Sequence, residues 1–103
     1  MGNSNALIKE TVTSVIPGAE VILFGSRAKG TAHEHSDYDL LVITPKQLKK
    51  DEYVSAYSLL TTMFARAIPD DVDLIIKSKE EAEIERQLIN FVVYFAFKHG
   101  ITL

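Results

Sequence analysis

Asp37 and Asp39 stand two residues apart at the head of an apolar run, Tyr38-Asp39-Leu40-Leu41-Val42-Ile43. In an extended chain, residues two apart point to the same side. Carboxylates on one side repel each other unless something neutralises them. Mg²⁺, which takes carboxylate oxygens together with phosphate oxygens, is the economical counter-ion. A third acid, Asp73, lies inside Val72-Asp73-Leu74-Ile75-Ile76, where an unpaired carboxylate is costly. If that strand lies beside residues 38–43, Asp73 joins Asp37 and Asp39 and completes a two-ion site. Asp71 faces the same way by alternation and is a second choice, nearer the strand end.

Upstream, Val21-Ile22-Leu23-Phe24 has the length and β-branched character of a buried strand. It turns at Gly25-Ser26 and passes a short cationic segment, Arg27-Ala28-Lys29-Gly30. Gly25 lets a ligand approach the backbone closely. Ser26 adds a hydroxyl and begins a helical turn whose free N–H groups suit phosphate. Arg27 and Lys29 either add positive charge to a triphosphate or are solvated, and Gly30 serves a tight turn. Taken singly these signals are weak, since Gly-Ser turns and Asp-x-Asp pairs are common in loops and caps. Their conjunction is what points to chemistry: strand, Gly-Ser turn, spacer, Ser36-Asp37-Tyr38-Asp39 opening a strand, and a later acid within a strand. His33 and His35 fall in the polar spacer and are expected at the surface; Tyr38 points away from the acids and is expected to pack on the other side of the sheet.

The elements that must position these residues follow from periodicity. Asn3, Ser4 and Asn5 are helix-start residues, and Leu7, Ile8, Val12, Val15 and Ile16 recur at helical spacing until Pro17-Gly18. Thr44-Pro45 suits a helix start. Residues 46–52 read as loop or first helical turns, and Tyr53, Tyr57, Leu60, Phe64 and Ala67 form one helical stripe. Pro69-Asp70 stops that helix. Ser78-Lys79-Glu80-Glu81 fits a capping box and opens a last helix expected to run to about Lys98, with Gly100 as its stop. The order α-β-(short α)-β-α-β-α, without repeats or linkers, reads as one small α/β layered domain over residues 1–103.

Within the last helix, Leu88 to Phe97 is apolar nearly all the way round, with Asn90 the one strongly polar member. Either other helices surround it, or its second face meets another protein chain. The chain has 103 residues and a net charge of −3, which disfavours direct nucleic-acid binding. It has no cysteine, so it makes no disulfide, thiolate metal site or thiol nucleophile. No apolar run approaches membrane-spanning length and the first residues lack a signal-peptide layout, so a cytoplasmic location is the default expectation.

The stretch Gly25-Ser26-Arg27-Ala28-Lys29-Gly30, five residues, then Ser36-Asp37-Tyr38-Asp39-Leu40-Leu41-Val42 resembles the signature of the DNA polymerase β-type nucleotidyltransferase superfamily. Its short form is the minimal nucleotidyltransferase (MNT) family. The pattern G-S-x-A-x-G, spacer, S-D-x-D-L is matched at every fixed position; Tyr38 stands where an aliphatic residue is commoner. Val72-Asp73-Leu74 resembles the family's third-acid strand, and Lys98-His99-Gly100-Ile101 its helix-Gly finish.

The resemblance implies a polymerase β-like α/β (α+β) core: a small mixed sheet of three or more strands flanked by helices. It implies that Asp37 and Asp39 bridge two Mg²⁺ ions, with Asp73 on the ion that activates the acceptor. Gly25 and Ser26 hold the β- and γ-phosphates, with Arg27, Lys29 and Ser36 in the nucleotide-binding group. The reaction implied is transfer of AMP from ATP to a hydroxyl. Larger relatives carry acceptor-binding domains, whereas this sequence reads as the catalytic core, so another molecule is expected to bring the acceptor. Short MNT proteins resemble antitoxins of HEPN-domain toxins, which makes a HEPN-type protein the leading partner and acceptor, docked on the Leu88–Phe97 segment; a homodimer through that segment is the other option. The competing functions are a non-catalytic antitoxin that neutralises by contact and, less favoured, an aminoglycoside-type small-molecule transferase.

Overall fold

In the computed structural model, described for residues 3–31 and 36–103, the chain runs α1 (Asn3–Val15), β1 (Glu20–Phe24), α2 (Ser26–Lys29), β2 (Tyr38–Thr44), α3 (Lys50–Ala67), β3 (Val72–Ser78), α4 (Lys79–Glu85), α5 (Val92–His99) and β4 (Ile101–Thr102). The spacer histidines His33 and His35 lie outside the described residues. The strands form one mixed sheet in the order β3-β2-β1-β4. β1 runs antiparallel to β2 and to β4, whereas β2 and β3 are parallel. A parallel pair needs a crossover, and α3 supplies it.

The central strands are apolar almost throughout because both sheet faces are covered. On one face Val21, Leu23, Leu40, Val42, Leu74 and Ile76 pack with Ile8, Val12, Leu60 and Phe64 of α1 and α3. On the other, Ile22, Leu41 and Ile43 pack with Ala82 of α4 and with Val93 and Ala96 of α5. Alternation places Asp39 and Asp73 on this second face, where Leu41 and Ile75 follow them two residues later. Tyr38 is buried in the first core, away from the acids, as its position in the strand implies.

Several elements differ from the sequence reading. The expected continuous last helix is two helices, α4 and α5. After Glu85 the backbone tightens to i→i−3 bonds, Gln87 N–H to Ile84 O and Leu88 N–H to Glu85 O, then Phe91 N–H to Leu88 O. A straight helix over residues 79–98 would be about 30 Å long. Seven-residue strands span only about 23 Å, so the break keeps both pieces on the sheet. Thr44-Pro45 does not start a helix: Thr44 ends β2, its hydroxyl donates to Lys46 O at 2.6 Å, and α3 begins after Lys49. The buried stripe of α3 is Ala56, Leu60 and Phe64, while Tyr53 and Tyr57 are exposed and stack on each other at 6.2 Å. The capping box at Ser78 and Glu81 is formed from both sides, with bonds of 2.9 and 3.1 Å.

β4 was not anticipated, being two residues long, and it depends on Gly100. A Cβ there would overlap Ala96 O and Ile22 Cγ2, so only glycine lets the end of α5 sit this close to β1. Gly100→Ala is expected to cost about 1–3 kcal/mol, the range for overpacking. Urea unfolding checks this, and an unchanged midpoint would contradict the close packing.

Candidate active site

β2 and β3 pair with Asp39 directly beside Asp73. Neighbouring strands lie about 4.8 Å apart, so two carboxylates on one face of a parallel pair are neighbours. Across the other edge of β2, Asp39 pairs with Phe24, the last residue of β1. Phe24, Asp39 and Asp73 thus form a row across three strands. Asp37, exposed, immediately precedes β2. Asp71 precedes β3, and its carbonyl accepts the Tyr38 N–H at 2.9 Å.

The electrostatics show the consequence. Partial burial holds the Asp39 carboxyl above the ordinary carboxylate range, and Asp73, by its charge and a side-chain hydrogen bond, pushes it further, with a smaller push from Asp37. Asp39 and Asp73 are therefore close neighbours across the strand pair, and Asp37 is within electrostatic reach.

Gly25 fits against this row. It has φ 75° and ψ −155°, a conformation open to glycine. A Cβ at this position would collide with Asp39 Oδ2, so the Asp39 carboxylate lies directly against the Gly25 backbone because residue 25 has no side chain. The Gly25 carbonyl then accepts from Ala28 N at 3.1 Å and Lys29 N at 3.2 Å, which winds the single turn of α2. Gly30 ends it in the left-handed conformation, φ 76°, with its N–H returned to Ser26 O.

The remaining sequence-predicted residues divide. Ser26 begins α2 beside Gly25, and Lys29 is exposed at its end. Ser36 is buried, and its carbonyl accepts from Arg27 Nε at 2.8 Å. Arg27 also pairs with Asp70 at 3.2 Å and lies over the Tyr38 ring, 3.9 Å from its centroid. In the sequence Asp70 marks only a helix stop; its pairing with a residue 43 positions earlier carries no local sequence signal.

The donor set suits a hard cation: carboxylate oxygens on adjacent strands, one of them on a carboxyl raised by partial burial and then by its acidic neighbours. Among the described residues no three His, Cys, Asp or Glu side chains form a ready-made cage. The three acids expected from the sequence to converge are thus not gathered into one metal-holding group; the strand register brings together Asp39 and Asp73, and Mg²⁺ held by one or two carboxylates completes its shell with water and phosphate oxygens. The cavity of about 430 Å³ lined by Thr44, Lys77 and Ser78 lies at the other end of β2 and β3, away from the acids. That cavity is therefore separate from the acid pair.

The profile of the family described as Polymerase beta, Nucleotidyltransferase matches residues 8–95. The curated proteins hold no match to the chain. Among solved structures, a toxin–antitoxin structure with AMP-PNP is similar at 26% identity and a TM-score of 0.60, over 97% of this chain and 71% of that one. A Sulfolobus solfataricus protein described as a candidate nucleotidyltransferase shares 30% identity over 82% of this chain and 72% of its own, with a TM-score of 0.55. The structure of a tri-AMPylated Shewanella oneidensis HEPN toxin in complex with MNT antitoxin shares the fold at 21% identity, a TM-score of 0.57, and 99% and 71% coverage of the two chains. No described helix is long and apolar enough to cross a membrane.

A carboxyl whose pKa is raised by folding binds its proton more tightly in the folded chain than in the unfolded one. Its ionisation therefore costs stability at neutral pH, and the cost is relieved as pH falls through the folded pKa. Asp39→Asn is expected to raise the thermal midpoint of the metal-free protein at pH 7, with the gain shrinking on acidification. Thermal unfolding from pH 7 to pH 4 checks this; a variant less stable than the wild type at pH 7 would contradict the strained carboxylate.

Proposed function

This chain belongs to the polymerase β nucleotidyltransferase family, and from that premise we propose that it transfers AMP from ATP to a hydroxyl of a HEPN-type partner protein. The observation that carries the proposal is the pairing of Asp39 with Asp73, with the Gly25 turn packed against the Asp39 carboxylate. In this reading Asp37, Asp39 and Asp73 hold Mg²⁺. Bound there, Mg²⁺ offsets charge on the phosphate oxygens and eases deprotonation of the acceptor.

The chain's own residues do the rest. Gly25 and Ser26 receive the β- and γ-phosphates at the turn into α2, and Lys29 adds positive charge. Ser36, tied by its carbonyl to Arg27, fixes the start of the acid segment. The acceptor oxygen forms its bond to the α-phosphorus as the bond from that phosphorus to the β-phosphate oxygen breaks. Pyrophosphate leaves, and the acceptor's proton goes to the Asp73 carboxylate. The chemistry is mostly positioning and charge stabilisation.

The partner is proposed on two grounds. One is likeness to the toxin–antitoxin structure with AMP-PNP. The other is the surface of the α4–α5 layer. Val93 and Ala96 face the sheet, while Leu88, Ile89, Phe91, Val92 and Phe95 are exposed. Of the two options in the sequence, burial among helices or contact with another chain, this exposure favours the second. A partner seated there lies on the sheet face to which Asp39 and Asp73 point. The same exposed patch favours a second reading, neutralisation by contact alone.

Labelled ATP, Mg²⁺ and a HEPN-type partner separate the two. Asp37→Asn and Asp39→Asn are each expected to reduce label transfer by about a hundred-fold or more, as loss of metal-held charge stabilisation implies, and to abolish neutralisation. Neutralisation that survives both changes would establish the contact reading. Absence of transfer by the wild type would sink the enzymatic one.

A further inference from the structure

We infer that Arg27 is a positioning residue, holding the acid-bearing start of β2 in place from within the protein rather than contacting substrate. The inference rests on the reading of Asp37, Asp39 and Asp73 as the metal-holding acids. It starts from the contacts that occupy the guanidinium. Its Nε donates to Ser36 O at 2.8 Å, one terminal nitrogen pairs with Asp70 Oδ2 at 3.2 Å, and its face covers Tyr38 at 3.9 Å. These partners come from separate parts of the site. Ser36 and Tyr38 flank Asp37, and Asp70 begins the approach to β3 and Asp73. Arg27 itself is in the turn that follows Gly25. One side chain therefore ties together the turn, the first two acids and the strand bearing the third.

Physical chemistry explains why this needs arginine. The planar guanidinium can donate along its edge in two directions while stacking by its face; an ammonium cannot. The Arg27 and Asp70 side chains are only 18% and 14% exposed, so the pair is less screened than a surface ion pair. α2 is four residues long and has too few internal bonds to fix its own orientation. Below it, the Tyr38 N–H bonds to Asp71 O, so the segment held by Arg27 is also the one that starts the β2–β3 pairing. Metal-holding side chains need placement to within about 0.5 Å, and Asp37, at the exposed end of a strand, has no ladder around it to provide that.

Charge alone predicts the opposite outcome, which makes the proposal testable. Removing a cation beside carboxylates should tighten divalent-metal binding. Removing a clamp should weaken it. Arg27→Lys keeps the charge and loses the fork; Arg27→Met keeps the apolar stem and loses both. Both are expected to weaken Mn²⁺ binding, measured without nucleotide by paramagnetic relaxation, by about ten-fold, the scale of a lost charge-assisted hydrogen bond. Both are also expected to speed hydrogen exchange of the Tyr38 amide about ten-fold relative to the amides of α1. Unchanged Tyr38 exchange, or Mn²⁺ binding that is unchanged or tighter, would overturn the proposal. If the wild type takes up no Mn²⁺, the metal reading fails, while the exchange measurement still decides whether Arg27 is the clamp. Should Arg27→Met not fold, Arg27→Lys and Asp70→Asn, which opens the same pair from the other side, are read in the same way by exchange.

Discussion

Two like charges held side by side on adjacent parallel strands are the constraint around which this protein is built. Asp39 and Asp73 occupy the same register position, so no adjustment of either strand can separate them without breaking the ladder. Like charges on neighbouring positions of one sheet face repel. The fold meets that cost with apolar burial further along the same strands. Leu40 to Ile43, Leu74 and Ile76 are buried, and they fix the pairing that forces the acids together. The rise in the Asp39 pKa reflects its partial burial first and the neighbouring Asp73 second.

The rest of the site follows from how strands reach this pair. A parallel partner for β2 requires a long return, and the 18 residues of α3 make it while covering the first sheet face. The antiparallel pairing of β1 brings its end, not its start, to Asp39, so the turn after Phe24 opens beside the carboxylates. Glycine at that turn is then needed twice, for a positive φ and for the absence of a Cβ against Asp39. α2 is a single turn, and Asp37 lies just outside the β2 ladder. Arg27 links them, and the link runs through Asp70 to the strand that carries Asp73.

Much of this was legible in the sequence because it is written in short-range patterns. The alternation in Tyr38 to Ile43 fixes which residues share a face, and the serine-acid spacing at Ser78 and Glu81 specifies a cap. The need for Asp73 to lie beside Asp39 could be stated from sequence, but its realisation depends on strand order, which no local pattern encodes. What could not be read rests on tertiary packing. The break between α4 and α5 lacks glycine or proline; it follows from the length of the sheet below. The buried stripe of α3 is displaced from Tyr53 and Tyr57 because burial, not apolar character, chooses among several possible faces. β4 is two residues long and exists because Gly100 allows α5 to close on β1. The Arg27–Asp70 pair spans 43 positions and has no periodicity to betray it.

The break in the last helix also bears on how an acceptor could reach the acids. A single long amphipathic helix would present one apolar face to the sheet and a polar face outward. Here the chain reorients at residues 86–91, and α5 buries Val93 and Ala96 while Phe91, Val92 and Phe95 stay exposed. Large apolar side chains clustered on one short segment lower solubility and are kept where a partner covers them. The α4–α5 layer sits on the same sheet face as Asp39 and Asp73, so a chain covering it is already on the side where a hydroxyl would have to arrive. In the proposed reaction, recognition of the partner and delivery of the acceptor are then one event.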